Sequence, residues 1–162
     1  VYNVPARTGL NLPPEIMPEL AKHPLLCGFK EACTDISHAM RLFELVGDGI
    51  AIYSGSDDMV LPMMSLGARG VISVAANIVP EQMHAMAMAY LRGDISAAKS
   101  LQFYLLPLIR LLFCDVSPIP LKAAMEIMQL CEGTLRKPLA KLDDAKIAKL
   151  RKELLHLRLI EE

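Results

Sequence analysis

The chain has 162 residues, 53% of them hydrophobic and only 5% aromatic, with a formal net charge of −1. That length suits one ordinary domain, and so apolar a composition excludes a disordered chain. The near-zero charge and the absence of a basic block argue against nucleic acid as a partner.

Elements of two kinds alternate through the first half. Val1–Val4 reads as the end of a strand, and Pro13-Pro14 opens a helix to about Lys22, since proline suits a first helical turn. Leu25–Lys30 is expected to be a buried strand. Asp35 caps a helix over Ile36–Val46, whose apolar residues recur at helical spacing. Gly49–Ser54 is a third strand, followed by a short helix over Met59–Leu66. Val71–Ala75 is a fourth strand, and Pro80 leads into a helix over Glu81–Leu91. Four short apolar strands, each followed by a helix, predict parallel βαβ units. Strands buried on both faces need not alternate polar and apolar residues.

From about Asp94 the pattern is helical throughout. A long helix is expected over Ser96–Phe113, bent at Pro107. Another starts at Pro120, runs to about Leu130 and is ended by Gly133. The last begins near Asp143-Asp144, and its stripe of Ile147, Leu150, Leu154 and Leu157 needs a partner surface, in this chain or another subunit. The apolar stretch Phe103–Cys114 contains Pro107 and Arg110 and is shorter than the roughly 20 residues that span a bilayer, so a soluble chain is expected. Cys27, Cys33, Cys114 and Cys131 show no CxxC spacing and read as buried, reduced thiols. Val1 reads as a start in mid-strand, so the sequence is expected to be the back part of something longer.

Lys30 is the residue that asks for chemistry. It closes an apolar run, and lysine is rarely buried without a partner. Burial disfavours the charged amine and can make it a nucleophile near neutral pH, as a Schiff-base lysine requires. Tyr2 and Arg7 add a phenol and a guanidinium near another strand end. Taken singly, each has an ordinary reading: a snorkelling lysine, a core tyrosine, a surface ion-pair arginine. Asn77 reads as a helix cap, and Asp57-Asp58 as carboxylates complementing a helix dipole. His23, His38, His84 and His156 lack metal-ligand spacing and take no role.

The block Tyr2-Asn3-Val4-Pro5-Ala6-Arg7-Thr8-Gly9 resembles the tyrosine motif of the dihydrodipicolinate synthase family. Gly28-Phe29-Lys30-Glu31-Ala32 resembles its Schiff-base segment. Ser54-Gly55-Ser56-Asp57-Asp58 and Gly70-Val71-Ile72-Ser73-Val74-Ala75-Ala76-Asn77 resemble its seventh and eighth strand ends, and Ile119-Pro120-Leu121-Lys122-Ala123-Ala124 its C-terminal helices. The resemblance implies an α/β fold, the latter half of a (β/α)8 TIM barrel followed by C-terminal helices. Residues 1–94 would hold βα units five to eight, with strand five truncated, and residues 95–162 the helical region. It implies a class I aldolase-type lyase without cofactor or metal, in lysine and diaminopimelate biosynthesis. Lys30 would form an imine with pyruvate and Tyr2 would move protons. Arg7 would hold a carboxylate of aspartate semialdehyde, and Gly55 and Ile72 would lie near pyruvate through their backbones. A cytoplasmic homotetramer of dimers is implied as well. Cys33-Thr34 departs from the family's usual Ser-Gly, and the family's paired threonines, its cross-dimer aromatic residue and its lysine-inhibitor site would belong to a missing front half. Two alternatives stand beside this reading: another pyruvate-dependent aldolase, of the keto-deoxy sugar acid or sialic acid lyase type, and a non-catalytic half-barrel used in assembly.

Overall fold

The computed structural model describes residues 1–161. Three parallel strands form its sheet, in the order β1 (Tyr2–Asn3), β2 (Gly28–Glu31), β3 (Ala51–Ser54). The register sets Tyr2 opposite Lys30 and Lys30 opposite Tyr53. Strands in sequence order joined by helices are the arrangement that the βαβ pattern predicts.

The strands are shorter than expected, and the hydrogen bonds say why. Leu25–Cys27 lies outside the sheet: Leu25 N–H donates to the His23 ring and Leu26 N–H to the His23 carbonyl, so these amides serve a turn. Leu25 is 85% exposed. Of the expected fourth strand, only Val71 bridges Ser54 in parallel. Beyond it, the Val74 and Ala75 amides donate to the Asp57 carboxylate, and the chain turns into a 3₁₀ segment over Ala75–Asn77.

The helices follow the sequence more closely. After β1 comes one turn, α1 (Pro5–Thr8), ended by Gly9 in the left-handed region. A 3₁₀ turn at Pro14–Ile16 leads into α2 (Met17–Leu20). Helix α3 (Ile36–Val46) is capped by Asp35, whose carboxylate accepts from Ser37 N–H at 2.8 Å. The next are α4 (Val60–Ser65) and α5 (Pro80–Leu91). Asn77 does not cap α5; its amide donates instead to the Val74 carbonyl.

The long helix α6 (Ile95–Leu112) is capped by Asp94 and carries Pro107 inside. By length and apolarity alone it could cross a membrane. Here Leu105, Leu108 and Leu112 are fully buried in the protein core, and Gln102 donates to the Asp57 carbonyl. Helix α7 (Ile119–Ile127) ends before Gly133; Gln129, with φ of 58°, makes the left-handed exit. Helix α8 (Asp144–His156) is capped by Asp143. Leu150, Leu154 and Leu157 of its stripe are buried, and α8 packs on α6 and α7, so the partner surface lies in this chain. All four cysteines are free thiols, as expected, but none is fully buried: Cys27 is exposed, and Cys33, Cys114 and Cys131 are half-buried.

Candidate active site

Tyr2 and Lys30 meet because their strands do. The parallel register places them side by side at the C-terminal ends of β1 and β2, with the Lys30 ammonium nitrogen 4.2 Å from the centre of the Tyr2 ring. An ammonium over an aromatic face is attracted by the ring quadrupole. Lys30 is half-buried rather than enclosed, and Tyr2 is exposed. The burial that made Lys30 conspicuous in the sequence is therefore partial.

Glu31, the next residue on β2, points the opposite way along the pleat and is fully buried. Its carboxylate is the centre of a network. Asn3 Nδ2 donates to both of its oxygens at 2.9 and 3.0 Å, and Cys33 N–H donates at 2.6 Å. Because Leu12 N–H can only donate, Asn3 Oδ1 must be its acceptor, which fixes the orientation of that amide. Asn3 Nδ2 then also reaches Asn11 Oδ1 at 2.8 Å, leaving Asn11 Nδ2 to donate to His38 Nδ1 at 3.3 Å. In a neutral imidazole the proton then sits on Nε2, 3.4 Å from Glu31 Oε2. Glu31, Cys33 and His38 bring ligand atoms within 4.8 Å of one another, spacing that suits a metal ion. The hydrogen-bond directions commit the His38 Nε2 lone pair to a proton, so these groups satisfy each other instead.

Gly55 closes the other side of Lys30. A Cβ built there would lie 2.8 Å from Ala32 Cβ, 3.0 Å from the Glu31 carbonyl and 3.1 Å from Lys30 Cε. Only a glycine lets the loop after β3 approach this closely, and its N–H donates to the Glu31 carbonyl at 2.6 Å.

A cavity of ≈ 640 Å³ opens over these groups, lined by Tyr2, Arg7, Lys30 and Gly55. Arg7 reaches it from α1, its guanidinium donating to the Ser117 carbonyl at 3.0 Å. Ile72 is not part of the lining; its side chain is exposed and its N–H donates to the Ser54 carbonyl. The structure thus gathers four of the five expected site residues around one space.

Sequence reasoning missed what the C-terminal helices contribute. Arg110 of α6 lines the cavity, as do Asp115 and Ser117 of the segment between α6 and α7. The signal was present: a guanidinium inside the apolar run Phe103–Cys114. Asp115 accepts from Lys146 of α8 at 2.7 Å, which fastens this wall to the last helix. That bond holds the Asp115 carboxyl below, and the Lys146 amine above, their ordinary values.

Asp57 stands in the first turn of a 3₁₀ segment, as a carboxylate complementing a helix dipole would, but it is buried and also holds the chain after Val71, with Oδ2 accepting from the Val74 and Ala75 amides at 3.1 and 2.9 Å. Its Oδ1 has no hydrogen-bond partner among the described residues, and burial pushes its pKa up against the pull of the nearby Ser73 hydroxyl and of those amides.

Residues 1–157 match the model of the dihydrodipicolinate synthetase family. The chain is 45% identical, over its full length, to the 4-hydroxy-tetrahydrodipicolinate synthase of Thermoanaerobacter sp. (strain X514), covering 55% of that protein. It is 48% identical over 93% of its length to the synthase of Methanosphaerula palustris, covering 52% of it. Among solved structures, dihydrodipicolinate synthase from Thermotoga maritima superimposes with a TM-score of 0.95 at 35% identity, over 99% of this chain and 56% of that one. The chloride-inhibited synthase of Acinetobacter baumannii, complexed with pyruvate, gives 0.93 at 36% identity, over 98% and 55%. The chain spans about half the length of these relatives.

Proposed function

The chain belongs to the dihydrodipicolinate synthetase family, and from that membership we propose that it carries the Schiff-base half of a pyruvate-dependent synthase acting in lysine and diaminopimelate biosynthesis. In this reading it is the latter half of a (β/α)8 barrel with its C-terminal helices. The observation that supports it best is the pairing of Lys30 with Tyr2 on adjacent strand ends, 4.2 Å from nitrogen to ring centre, in a cavity shared with Arg7 and Gly55.

The chemistry follows from the groups. The neutral Lys30 amine adds to the ketone carbon of pyruvate, and loss of water leaves an imine. The protonated imine withdraws electrons, so the methyl group loses a proton and an enamine forms. Its terminal carbon attacks the aldehyde carbon of aspartate semialdehyde, making the new C–C bond. The amino group of the semialdehyde moiety then displaces Lys30 by transimination, closing the ring and freeing the enzyme. Tyr2, beside the amine, moves protons between these stages as general acid and base. Arg7 offers a planar two-pronged donor to the carboxylate of the semialdehyde. Gly55 supplies room beside the Lys30 stem, and the segment at Ile72 supplies backbone near pyruvate. Neither cofactor nor metal enters these steps. A cytoplasmic homotetramer, a dimer of dimers, is the assembly this reading carries.

Borohydride reduction in the presence of pyruvate, followed by peptide mass mapping of the intact gene product, tests it. A reduced pyruvate adduct is expected on the peptide containing Lys30, and none after Lys30→Met. An unmodified Lys30 peptide would remove the aldolase mechanism.

A further inference from the structure

The cavity over Lys30 holds more charge than this reaction, as assigned, uses. Asp115 is engaged by Lys146 and by Val116 N–H, and Asp58 accepts from the Ser56 hydroxyl at 2.7 Å. Both anionic groups in the lining therefore have donors. Of the cationic groups, Lys30 lies against Tyr2 and Arg7 binds the Ser117 carbonyl. Arg110 lines the same cavity, is exposed, and has no hydrogen bond or ion pair among the described residues. It also sits in an apolar helix, between buried Ile109 and Leu112, where a charge is not needed for packing.

A guanidinium without a partner, facing a space that already holds another guanidinium and an amine, leaves the cavity with surplus positive charge. Such a space selects anionic ligands. A carboxylate spanning two guanidiniums receives parallel charge-assisted hydrogen bonds, which a neutral group cannot match. We propose that Arg110 is a specificity-determining residue: with Arg7 it forms a two-armed anion site that holds the carboxylate of the acceptor aldehyde. This inference rests on the pyruvate-dependent reading of the site. It assigns the acceptor's anionic end to the wall built by α6, and the aldehyde end to the Lys30 side.

The test compares the intact gene product with R110Q and R110K. In R110Q the KM for aspartate semialdehyde should rise about tenfold, the scale of one lost charge-assisted bond. The KM for pyruvate and the borohydride-trapped adduct on Lys30 should be unchanged. R110K, which keeps the charge but not the fork, should fall between. Preference for the semialdehyde over a neutral aldehyde of equal length should drop in R110Q by the same factor. An unchanged semialdehyde KM overturns the inference, as does a rise in pyruvate KM of equal size, which would place the pyruvate carboxylate on Arg110. It is also overturned if wild type traps pyruvate yet turns over neutral and anionic aldehydes equally. Failure of wild type to trap pyruvate is a different result, and strikes the reading beneath it. Thermal melting of each variant separates these effects from misfolding; should R110Q melt low, R110K carries the same comparison.

Discussion

At Gly55 there is no room for even a methyl group. Ala32 Cβ and the Glu31 carbonyl are both too near, and neither is the free end of a flexible chain. Gly55→Ala must therefore shift β2 or the Lys30 stem, and overpacking of this kind costs about 1–3 kcal/mol. The expected outcome is lower stability in urea together with reduced pyruvate trapping at Lys30; unchanged trapping would show that the close approach is incidental. Two buried carboxylates nearby behave differently because their donors differ. Glu31 is surrounded by donors, so Glu31→Leu strands one N–H of the Asn3 amide, whose other N–H keeps Asn11, and the Cys33 N–H. Each orphaned donor costs about 1–3 kcal/mol, and urea unfolding should show the sum. Asp57 has donors on one oxygen only, and burial raises its pKa. Above the ordinary carboxylate value, the folded chain then keeps a proton that the unfolded chain has lost. Stability should fall as pH rises through the window between the ordinary and the raised value. Asp57→Asn should remove that downward slope, measured as urea midpoints from about pH 4 to about pH 8; an identical slope in the variant would exclude Asp57 as its source.

Among the elements, helices were legible and strand lengths were not. Capping residues, proline positions and apolar spacing are local signals: Asp35 caps α3, Pro80 opens α5 and α8 starts at Asp143-Asp144 where the pattern set them, while α6, capped by Asp94, starts one residue before the expected Ser96. A strand's length is decided by where its amides find partners, which no local pattern records. The His23 ring took the Leu25 amide, and Asp57 took those of Val74 and Ala75, residues far along the chain. The same limit applied to the site. Lys30, Tyr2 and Arg7 stood in recognisable motifs, whereas Arg110 and Asp115 reached the cavity only through the packing of α6. The last helix makes the clearest test of an element. Leu154 is fully buried between α8 and its neighbours, while Lys152 on the same helix is exposed. Leu154→Ala should cost about 2–5 kcal/mol in urea unfolding, and Lys152→Ala should stay within about 0.5 kcal/mol. Equal effects would mean that the α8 stripe is not docked as described.

At the scale of the whole molecule, the sheet is the exposed feature. Among the described residues β1 pairs only with β2, and β3 has beyond it the single bridge to Val71, so both edges of the three-stranded parallel sheet present unpaired backbone. Parallel sheets are normally covered on both faces, and open edges of this kind invite pairing with another chain. Apolar side chains accompany those edges: Val1, next to β1, and Ile72, next to the Val71 bridge, are each 49% exposed. The Lys30 cavity lies over the same open sheet, so solvent reaches the space in which the proposed imine and enamine would form. Two outcomes are expected of the 162-residue chain by itself. In sedimentation velocity its mean mass should increase with concentration, because edges and apolar surface find partners in other copies. In a coupled assay with pyruvate and aspartate semialdehyde it should show no turnover, since the walls that would exclude water are incomplete. A concentration-independent monomer would mean that the edges are protected in a way the sheet does not reveal. Turnover by that monomer would mean that Tyr2, Arg7, Lys30 and Gly55 suffice for catalysis without an enclosed site.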